Sequence, residues 1–434
     1  MDIPEVSTRD AFKVTLAATI GTLIEFYDLF IAGLAAAIAW PQLFFPQSNL
    51  GLAAAASVSA YAVTLLVRPL GAFVFGHIGD RVGRKQTMIW TLVLMGVGVL
   101  GVALTPAYAT IGVLAPALVI IFRILQGLGL GGEYGGAASW VAEVTARSKW
   151  RPFWTSWIQA DAVGGSVLAA FAFTLTGMYM SQADVVSYGW RLIFIAGAVG
   201  IAFAGLIRFQ LTESPLFERL KLNKTIAKLP SIQVLQTNWK AVMALAVMAL
   251  PTLGIVNLVI SPFSVQYLAA LRVNTTVVTE YIVLSGLIAT ALHILGGIVS
   301  SITGKKRIIM ILSSLSYAVL VFPYFYLLGT KSYTLILLAL ILLYAVPRPG
   351  AAVIPAMLTD YFETKYRISG SGLAYQIGSL IIGIIVSFLI PLLISTQGGA
   401  IGAVPYVAAL YLMVSVASLL VTVFYLKDIR DLPP

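Results

Sequence analysis

Long apolar stretches recur along almost the whole chain, and they constrain its fold more than any other feature. About 20 apolar residues cross a hydrocarbon core roughly 30 Å thick. Charged residues make up 10% of the chain, whereas a soluble domain has about 25%. We therefore predict an all-α membrane protein with twelve transmembrane helices, near residues 12–39, 51–76, 87–105, 113–142, 153–178, 190–211, 239–270, 278–303, 307–328, 333–357, 369–394 and 403–426.

The distribution of Lys and Arg predicts the orientation of these helices. An even number of spans places both termini on one side of the membrane. With that side cytoplasmic, only Arg191, Arg272 and Lys331 of the 27 basic residues would face outward, and three more lie within spans. Basic loops stay in the cytoplasm, so we expect both termini there. The net charge of +10 then reflects topology, and we expect no nucleic acid as a partner.

The chain also predicts two equivalent halves. A polar stretch at residues 212–238 is expected to be a cytoplasmic linker between a six-helix bundle at 1–211 and another at 239–434. The end of span 2 reads GHIGDRVGRK (Gly76–Lys85), and the end of span 8 reads GIVSSITGKK (Gly297–Lys306). The two segments share glycines and a lysine, but Asp80 of the first is Ser301 in the second. A repeat at equivalent places supports the division into halves.

GHIGDRVGRK resembles the signature loop of the major facilitator superfamily. Within it the chain looks like the metabolite:proton symporter family, whose members carry organic acids, amino acids and betaines. This resemblance implies the major facilitator fold, with spans 1 and 4 lining the cavity. The other segments that carry it are GTLIEFYD (Gly21–Asp28), RPLGAFVFGH (Arg68–His77), RILQGLGLGGEYGGA (Arg123–Ala137), GWRLIF (Gly189–Phe194), TESPLFE (Thr212–Glu218) and LTDYFETKYRISGSGLAY (Leu358–Tyr375). Asp161 in span 5 and the PRPG sequence at Pro347–Gly350 depart from the family pattern.

Ionisable side chains at membrane depth are costly and mark functional candidates. Glu25 and Asp28 are three residues apart and share one face of span 1. Two carboxylates on one face in low dielectric resist joint ionisation, so one of them can carry a proton. The resemblance places Arg123 of span 4 as the partner. We predict Asp28 as the protonation switch and Glu25 as the second candidate; a static ion pair that only fixes packing is the alternative.

Two further acids have less defined expectations. Glu133 is either a second proton site or a partner of Arg68. Asp161 is either an additional proton site or a group that neutralises Arg68. The glycines around Glu133 are expected to let helix backbones approach closely, and they form rows at Gly127, Gly131 and Gly135 and at Gly132 and Gly136.

Arg348 lies between two prolines, which interrupt the helix and are tolerated where the backbone lines a cavity. A fixed cation with fork geometry suits a carboxylate of the solute, and the alternative is an Arg that snorkels from the helix kink or donates to a backbone carbonyl. His77 and His293 are expected to be structural hydrogen-bonding residues. The other candidates for solute binding are Arg68, Asn257, Gln266, Tyr267, Tyr375 and Gln376.

The loop after span 2 has a different chemistry. Asp80 precedes the start of span 3, where a nearby helix dipole would stabilise its charge. We expect Asp80, Arg84, Glu143 and Arg147 to form a cytoplasmic cluster of ion pairs that holds one conformation. These residues are predicted to gate the transporter and not to bind the solute.

Together these features predict a proton-coupled symporter of the cell membrane that imports a small polar solute, a carboxylate-bearing metabolite. A sugar porter or facilitator, an efflux antiporter and a transport-dead sensor of the same fold are the alternatives. With two histidines and no cysteine, the chain offers no catalytic or metal-binding constellation, so we expect neither an enzyme nor a cofactor. Its partners would be the solute, protons and lipid, and we expect a monomer.

Overall fold

The computed structural model describes residues 7–45, 50–253, 261–430 and 432–433, and the regular elements in these ranges are all helical. The longer helices of the first half are α1 (Thr8–Ile38), α2 (Leu50–Val82), α3 (Arg84–Leu104), α4 (Leu114–Val144), α5 (Arg151–Tyr179) and α6 (Trp190–Phe209). Those of the second half are α7 (Trp239–Leu250), α8 (Thr275–Thr303), α9 (Lys306–Gly329), α10 (Pro349–Asp360), α11 (Arg367–Ile384) and α12 (Ala400–Phe424). Shorter helices adjoin or connect them, and they include Trp40–Phe44, Tyr108–Ile111, Pro215–Leu222, Pro230–Thr237, Ser261–Ala270, Tyr333–Leu340 and Ile390–Thr396.

Ten helical segments of the described chain are long and apolar enough to cross a membrane. They are Thr8–Ile38, Ala56–Val82, Arg84–Leu104, Leu114–Val144, Gln182–Phe209, Thr275–Thr303, Lys306–Gly329, Tyr333–Asp360, Thr364–Thr396 and Ala400–Phe424. Two shorter apolar helices, Val167–Tyr179 and Trp239–Leu253, lie at the predicted fifth and seventh spans. The predicted span at 239–270 includes residues 254–260, which lie outside the described ranges. Twelve spans and cytoplasmic termini therefore stay predictions.

The helices expose apolar side chains, and several of their charged side chains are buried. Val93, Phe171 and Leu206 are all more than half exposed, whereas Arg123 and Glu133 are fully buried. This is the reverse of the arrangement in a water-soluble protein, because lipid solvates apolar side chains and leaves charges without a partner. The burial pattern shows that the chemistry of this chain lies in its interior.

Contacts between Cα atoms divide the chain into two compact units. Unit 1 contains Met1–Val144, Asp161–Gln233 and Thr364–Leu373, and unit 2 contains Thr145–Ala160, Val234–Glu363 and Ala374–Pro434. The first residues of α5 therefore belong to unit 2, and the first residues of α11 belong to unit 1. Each sequence half therefore contributes one helix end to the unit formed mainly by the other half, which the sequence did not predict.

Within unit 1, the glycine row of α4 lies directly against the backbone of α2. A methyl group at Gly127 would lie 2.6 Å from the carbonyl oxygen of Thr64, and one at Gly131 would meet the carbonyl oxygen of Arg68. These contacts confirm the packing interpretation of the row. They also bring Arg68 on α2 and Arg123 on α4 into the interior of the same unit.

We predict that Gly131→Ala destabilises the protein, because the added methyl group meets a backbone carbonyl that cannot rotate away. Overpacking of this kind costs about 1–3 kcal/mol, so the thermal unfolding temperature in detergent should fall. Gly205→Ala on α6 is the matched control, since nothing lies within 4 Å of the added methyl group. Alanine is the better helix former by about 0.5–1 kcal/mol, and an equal effect of the two changes would contradict this packing.

Candidate functional site

The predicted proton switch of α1 lies in a buried hydrogen-bonded group. Arg123 Nη1 is 3.8 Å from Asp28 Oδ2 and donates to Gln126 Oε1 at 2.5 Å. The Gln126 amide in turn donates to the Asp28 carboxylate. Asp28 and Arg123 are both at most 1% exposed. The structure therefore brings the predicted pair together, with Gln126 as a bridge that the sequence did not predict.

One turn earlier on α1, Glu25 forms a second ion pair. Its Oε1 lies 3.2 Å from Arg68 Nη1. Arg68 therefore pairs with Glu25, whereas the sequence analysis named Glu133 or Asp161 as its partner. The side chain of Asp161 lies outside the described part of the structure. Arg68, predicted to bind the solute, thus belongs with the carboxylates of α1.

Both pairs leave polar atoms without a hydrogen-bond partner among the described residues. Such atoms are Oε2 of Glu25, Oδ1 of Asp28 and the Nε and Nη2 groups of Arg68 and Arg123. The guanidinium of Arg123 also lies between two rings, 5.8 Å from that of Trp40 and 5.6 Å from that of Tyr61. The two carboxylates and two guanidinium groups are therefore paired but not saturated.

Glu133 forms a third pair, with a partner that the sequence analysis missed. Arg208 Nη1 donates to Glu133 Oε2 at 3.0 Å, and Nη2 contacts Oε1. Thr91 Oγ1 donates to the same carboxylate at 2.9 Å. The prediction that Glu133 partners Arg68 is wrong. Arg208 lies within the apolar stretch 190–211 and is fully buried, and its position in that stretch was the signal that the sequence offered.

A fourth group lies at the end of α2, inside unit 1. Asp80 accepts hydrogen bonds from the backbone N–H groups of Ile368 and Ser369, at 3.1 and 2.9 Å, and from the Ser369 hydroxyl at 2.8 Å. These N–H groups belong to the first turn of α11, where the helix dipole favours a negative charge. Asp80 therefore caps α11, and the nearby helix dipole expected to stabilise its charge is that of α11.

Ion pairs surround this cap. Arg84 Nη2 lies 3.5 Å from Asp80 and 2.8 Å from Glu143 Oε1, and Arg367 Nη1 donates to the same oxygen at 2.9 Å. All four charged side chains are fully buried. Arg147, predicted to belong to this cluster, is exposed in the turn after α4. Arg367, the first residue of α11, supplies a second cation to this cluster, and its position just before the predicted span at 369–394 gave no indication of this.

The TESPLFE segment supports the same cluster from outside the spans. Glu213 accepts the backbone N–H groups of Arg84 and Lys85 at 3.0 and 3.2 Å, which caps the start of α3. The hydroxyl of Ser214 contacts the Glu143 carboxylate. Burial raises the pKa of the Glu213 carboxyl, so it takes up a proton at a higher pH than a solvated glutamate does.

Unit 2 contains a counterpart of this arrangement at the second copy of the repeat. Ser301 Oγ accepts the backbone N–H of Phe153 at 3.0 Å, in the first turn of α5. Arg151 Nη2 lies 2.9 Å from Asp360 Oδ1, and Lys306 contacts the other oxygen of Asp360. The helix cap is therefore conserved in position between the two units, with a hydroxyl in place of the Asp80 carboxylate.

The chain near its C-terminus completes this second cluster. Arg151 Nη2 donates to the carbonyl oxygen of Arg430 at 2.8 Å, and Lys306 Nζ donates to that of Ile429 at 2.7 Å. One carboxylate, that of Asp360, thus faces two cations. Backbone carbonyl groups supply the other acceptors.

The predicted solute-binding residues of unit 2 differ in their burial. Arg348 is 1% exposed, and its Nη1 and Nη2 groups have no hydrogen-bond partner among the described residues. Its Cζ atom is 5.9 Å from the ring centre of Tyr344. Three other candidates, Tyr267, Tyr375 and Gln376, are buried, and Gln266 is exposed. Asn257 lies outside the described residues.

Comparisons with known proteins identify the family. A sequence profile of the family described as "Sugar (and other) transporter" matches residues 14–235. The inner membrane metabolite transport protein YhjE of Escherichia coli (strain K12) is 31% identical, over 94% of this chain and 93% of its own length. The chain belongs to the major facilitator superfamily. It is therefore a multi-pass membrane transporter, and these relatives are transporters and not enzymes.

Two further comparisons agree with this family. The shikimate transporter of Escherichia coli (strain K12) is 29% identical to this transporter, and the match covers 99% of each chain. The structure of the proton:xylose symporter XylE bound to 6-bromo-6-deoxy-D-glucose superposes with a TM-score of 0.77 over 98% of both chains. At 18% sequence identity, this second likeness shows the fold alone.

We predict that Asp80→Ala weakens the start of α11 more than Ser301→Ala weakens the start of α5. A charged acceptor contributes about 1.5–3 kcal/mol to a hydrogen bond and a neutral one about 0.5–1.5 kcal/mol. Amide hydrogen exchange measured by mass spectrometry on the full transporter in nanodiscs reports both sites. The amides of Ile368 and Ser369 should exchange roughly ten- to a hundredfold faster in Asp80→Ala. The Phe153 amide should change less in Ser301→Ala, and equal effects would contradict the prediction.

Proposed function

We propose that this transporter is a proton-coupled symporter that imports a small carboxylate-bearing solute across the cytoplasmic membrane of a bacterial cell. It would act as a monomer in lipid, with twelve spans, both termini in the cytoplasm, and six-helix bundles at 1–211 and 239–434 joined by a linker at 212–238. The observation that carries this proposal is the buried group formed by Asp28, Arg123 and Gln126 beside the Glu25–Arg68 pair.

Proton coupling needs a carboxylate whose charge controls the conformation. Asp28 fits this requirement because its partner Arg123 is fully buried and unsaturated. Protonation of Asp28 would leave the Arg123 guanidinium without its counter-charge, and an uncompensated buried charge costs several kcal/mol. The free energy of each conformation therefore depends on the proton. Glu25 can serve in the same way toward Arg68.

Glu133 is less suited to carry the proton. Both of its oxygens bind the Arg208 guanidinium, and Thr91 adds a further hydrogen bond. Hydrogen bonds to the ionised form of a carboxyl group favour that form. We therefore assign Glu133 and Arg208 to the stability of unit 1, and the proton to the carboxylates of α1.

The clusters at the helix starts would control alternating access. The buried network of Asp80, Arg84, Glu143 and Arg367 stabilises the first turn of α11, so its release would be needed for the opposite conformation. Arg147 remains a candidate gating residue in addition to these four. Since the network is fully buried, removal of one partner would leave an uncompensated buried charge, which costs about 3–5 kcal/mol.

The solute assignment depends on Arg348. The Nη1 and Nη2 groups of Arg348 have no hydrogen-bond partner among the described residues, so they provide the donors that a carboxylate accepts. The name of the shikimate transporter, which the match covers over 99% of both chains, is consistent with an organic acid as the solute. Asn257, Gln266, Tyr267, Tyr375 and Gln376 are the further polar candidates for the binding site.

A sugar porter is the second candidate function. The description of the matching family names sugars first, and hexoses bind through neutral hydrogen-bonding groups without need of a buried cation. Uptake of labelled hexoses and of organic acids by proteoliposomes would separate the two functions, and Arg348 favours the acids.

We predict that Asp28→Asn abolishes accumulation driven by an acid-outside pH gradient. The amide cannot take up the proton, so the solute should only equilibrate, whereas the wild type should gain about tenfold in concentration ratio per pH unit for one proton. Exchange of labelled for unlabelled solute should persist, because it does not require the proton to be released. Glu280→Gln, on the exposed face of α8, is the matched control, and full accumulation by Asp28→Asn would refute the switch.

The charge of the solute can be determined from the effect of a membrane potential. A monoanion that moves with one proton transfers no net charge, whereas a zwitterion with one proton transfers one. One elementary charge across 100 mV is worth about 2.3 kcal/mol, or roughly a fiftyfold change in the concentration ratio. We expect accumulation of a monoanion to be unchanged when valinomycin and a potassium gradient impose an inside-negative potential at constant pH.

A further inference from the structure

Unit 2 contains a second set of buried polar atoms, separate from the carboxylates of α1. These atoms have no hydrogen-bond partner among the described residues, and they are Nη1 and Nη2 of Arg348, Nδ1 of His293 and the hydroxyl oxygens of Tyr317 and Tyr411. All four side chains are at most 2% exposed. An unsatisfied buried polar group costs about 1–3 kcal/mol, so buried donors and acceptors that lie close together are candidates for binding a ligand.

The fold brings three helices together around Arg348. On one side, a methyl group at Gly296 of α8 would lie 2.6 Å from the Cα atom of Pro349. On the other side, Ser313 of α9 donates its hydroxyl to the carbonyl oxygen of Pro347 at 2.6 Å. The PRPG segment at the start of α10 therefore contacts both α8 and α9, through the two prolines that flank Arg348 in the sequence.

The other polar side chains lie within one turn of these contacts. His293 precedes Gly296 on α8, and Tyr317 follows Ser313 on α9. Arg348 interacts electrostatically with both the His293 ring and Tyr317. The rings of Tyr317 and Tyr411 are 6.4 Å apart, which extends the polar set toward α12.

The hydrogen bond made by Nε2 of His293 determines whether the other ring nitrogen, Nδ1, donates or accepts. Nε2 is 2.9 Å from the carbonyl oxygen of Ser156, and a carbonyl can only accept, so Nε2 carries the proton and donates it. In a neutral imidazole Nδ1 is then an acceptor. Gln159, almost one turn after Ser156 on α5, also has no partner for its amide among the described residues. The site thus contains a strong cationic donor and a neutral acceptor.

We propose that Arg348, His293 and Tyr317 form the subsite that selects the solute, and that the solute is a carboxylate carrying a hydroxyl group. The carboxylate accepts from Arg348, and the hydroxyl group donates to Nδ1 of His293, with Tyr317 as an additional hydrogen-bonding group. This inference rests on the proposed function. A fully methylated betaine has no donor for Nδ1 and would leave that atom unpaired, as would a simple carboxylate.

The inference is tested by paired ligands that differ in the hydroxyl group. The purified full-length protein in nanodiscs is titrated at constant pH with glycolate and acetate, lactate and propionate, and shikimate and cyclohex-1-ene-1-carboxylate, and binding is measured by calorimetry. The wild type should bind the hydroxylated member of at least one pair more than about a hundredfold tighter, since a site built for a hydroxyl rejects the analogue that lacks it. Glycine betaine should bind no better than acetate.

Variants at His293 identify the acceptor. His293→Phe should weaken binding of the hydroxylated ligand at least tenfold. It should change the affinity for the analogue that lacks the hydroxyl group by no more than about threefold. His293→Gln retains both a donor and an acceptor and should recover part of the preference, which separates the lost hydrogen bond from a damaged fold. His77→Phe is the matched histidine control and should change neither affinity.

Several results would overturn the inference. They are binding of both members of every pair with equal affinity by the wild type, equal weakening of both by His293→Phe, and absence of binding by any of the probes. The proposed function fails on a different result, the absence of gradient-driven uptake of any carboxylate. A protein that accumulates carboxylates but shows no preference for the hydroxylated member would therefore refute only the subsite.

Discussion

Charged side chains in the interior of a membrane protein have no water to solvate them, and this constraint governs the whole structure described here. Each buried charge needs a counter-charge or several hydrogen bonds, because an isolated one costs several kcal/mol. Unit 1 meets this condition with three carboxylate–guanidinium pairs in its core and a network at the start of α11. These pairs restrict how the helices can pack, and glycines on α4 allow its backbone to approach that of α2.

The pairs differ in how many of their atoms form hydrogen bonds, and we propose that this difference separates the pair that stabilises unit 1 from the pairs that carry the proton. Glu133 and Arg208 engage both carboxylate oxygens, whereas Asp28 and Glu25 each keep one oxygen without a partner among the described residues. A carboxylate with both oxygens bonded loses contacts in any rearrangement. An unsaturated pair can exchange one contact for another, which is the property that a coupling residue needs.

The sequence predicts the membrane class and the positions of ten spans well, because hydropathy depends on local composition. It also predicts that Asp28 lies near Arg123, since the resemblance to a family fixes the two helices. Other pairings depend on how each helix is rotated about its axis, which hydropathy does not define. Glu133 therefore received the wrong partner, and Arg208 was missed because it lies at the end of an apolar stretch. Arg367 was missed because its sequence neighbours look like an ordinary loop.

In the cluster around Asp360 in unit 2, backbone carbonyl groups act as acceptors where the described part of the chain places no additional acidic side chain. Arg151 and Lys306 share one carboxylate, and the carbonyl groups of Ile429 and Arg430 accept their remaining hydrogen bonds. Ile429 and Arg430 are thus tied to the starts of α5 and α9. A fluorescent protein or affinity tag fused directly behind them would pull on these carbonyl groups, so a reporter placed there without a long flexible spacer would change the molecule that it is meant to observe.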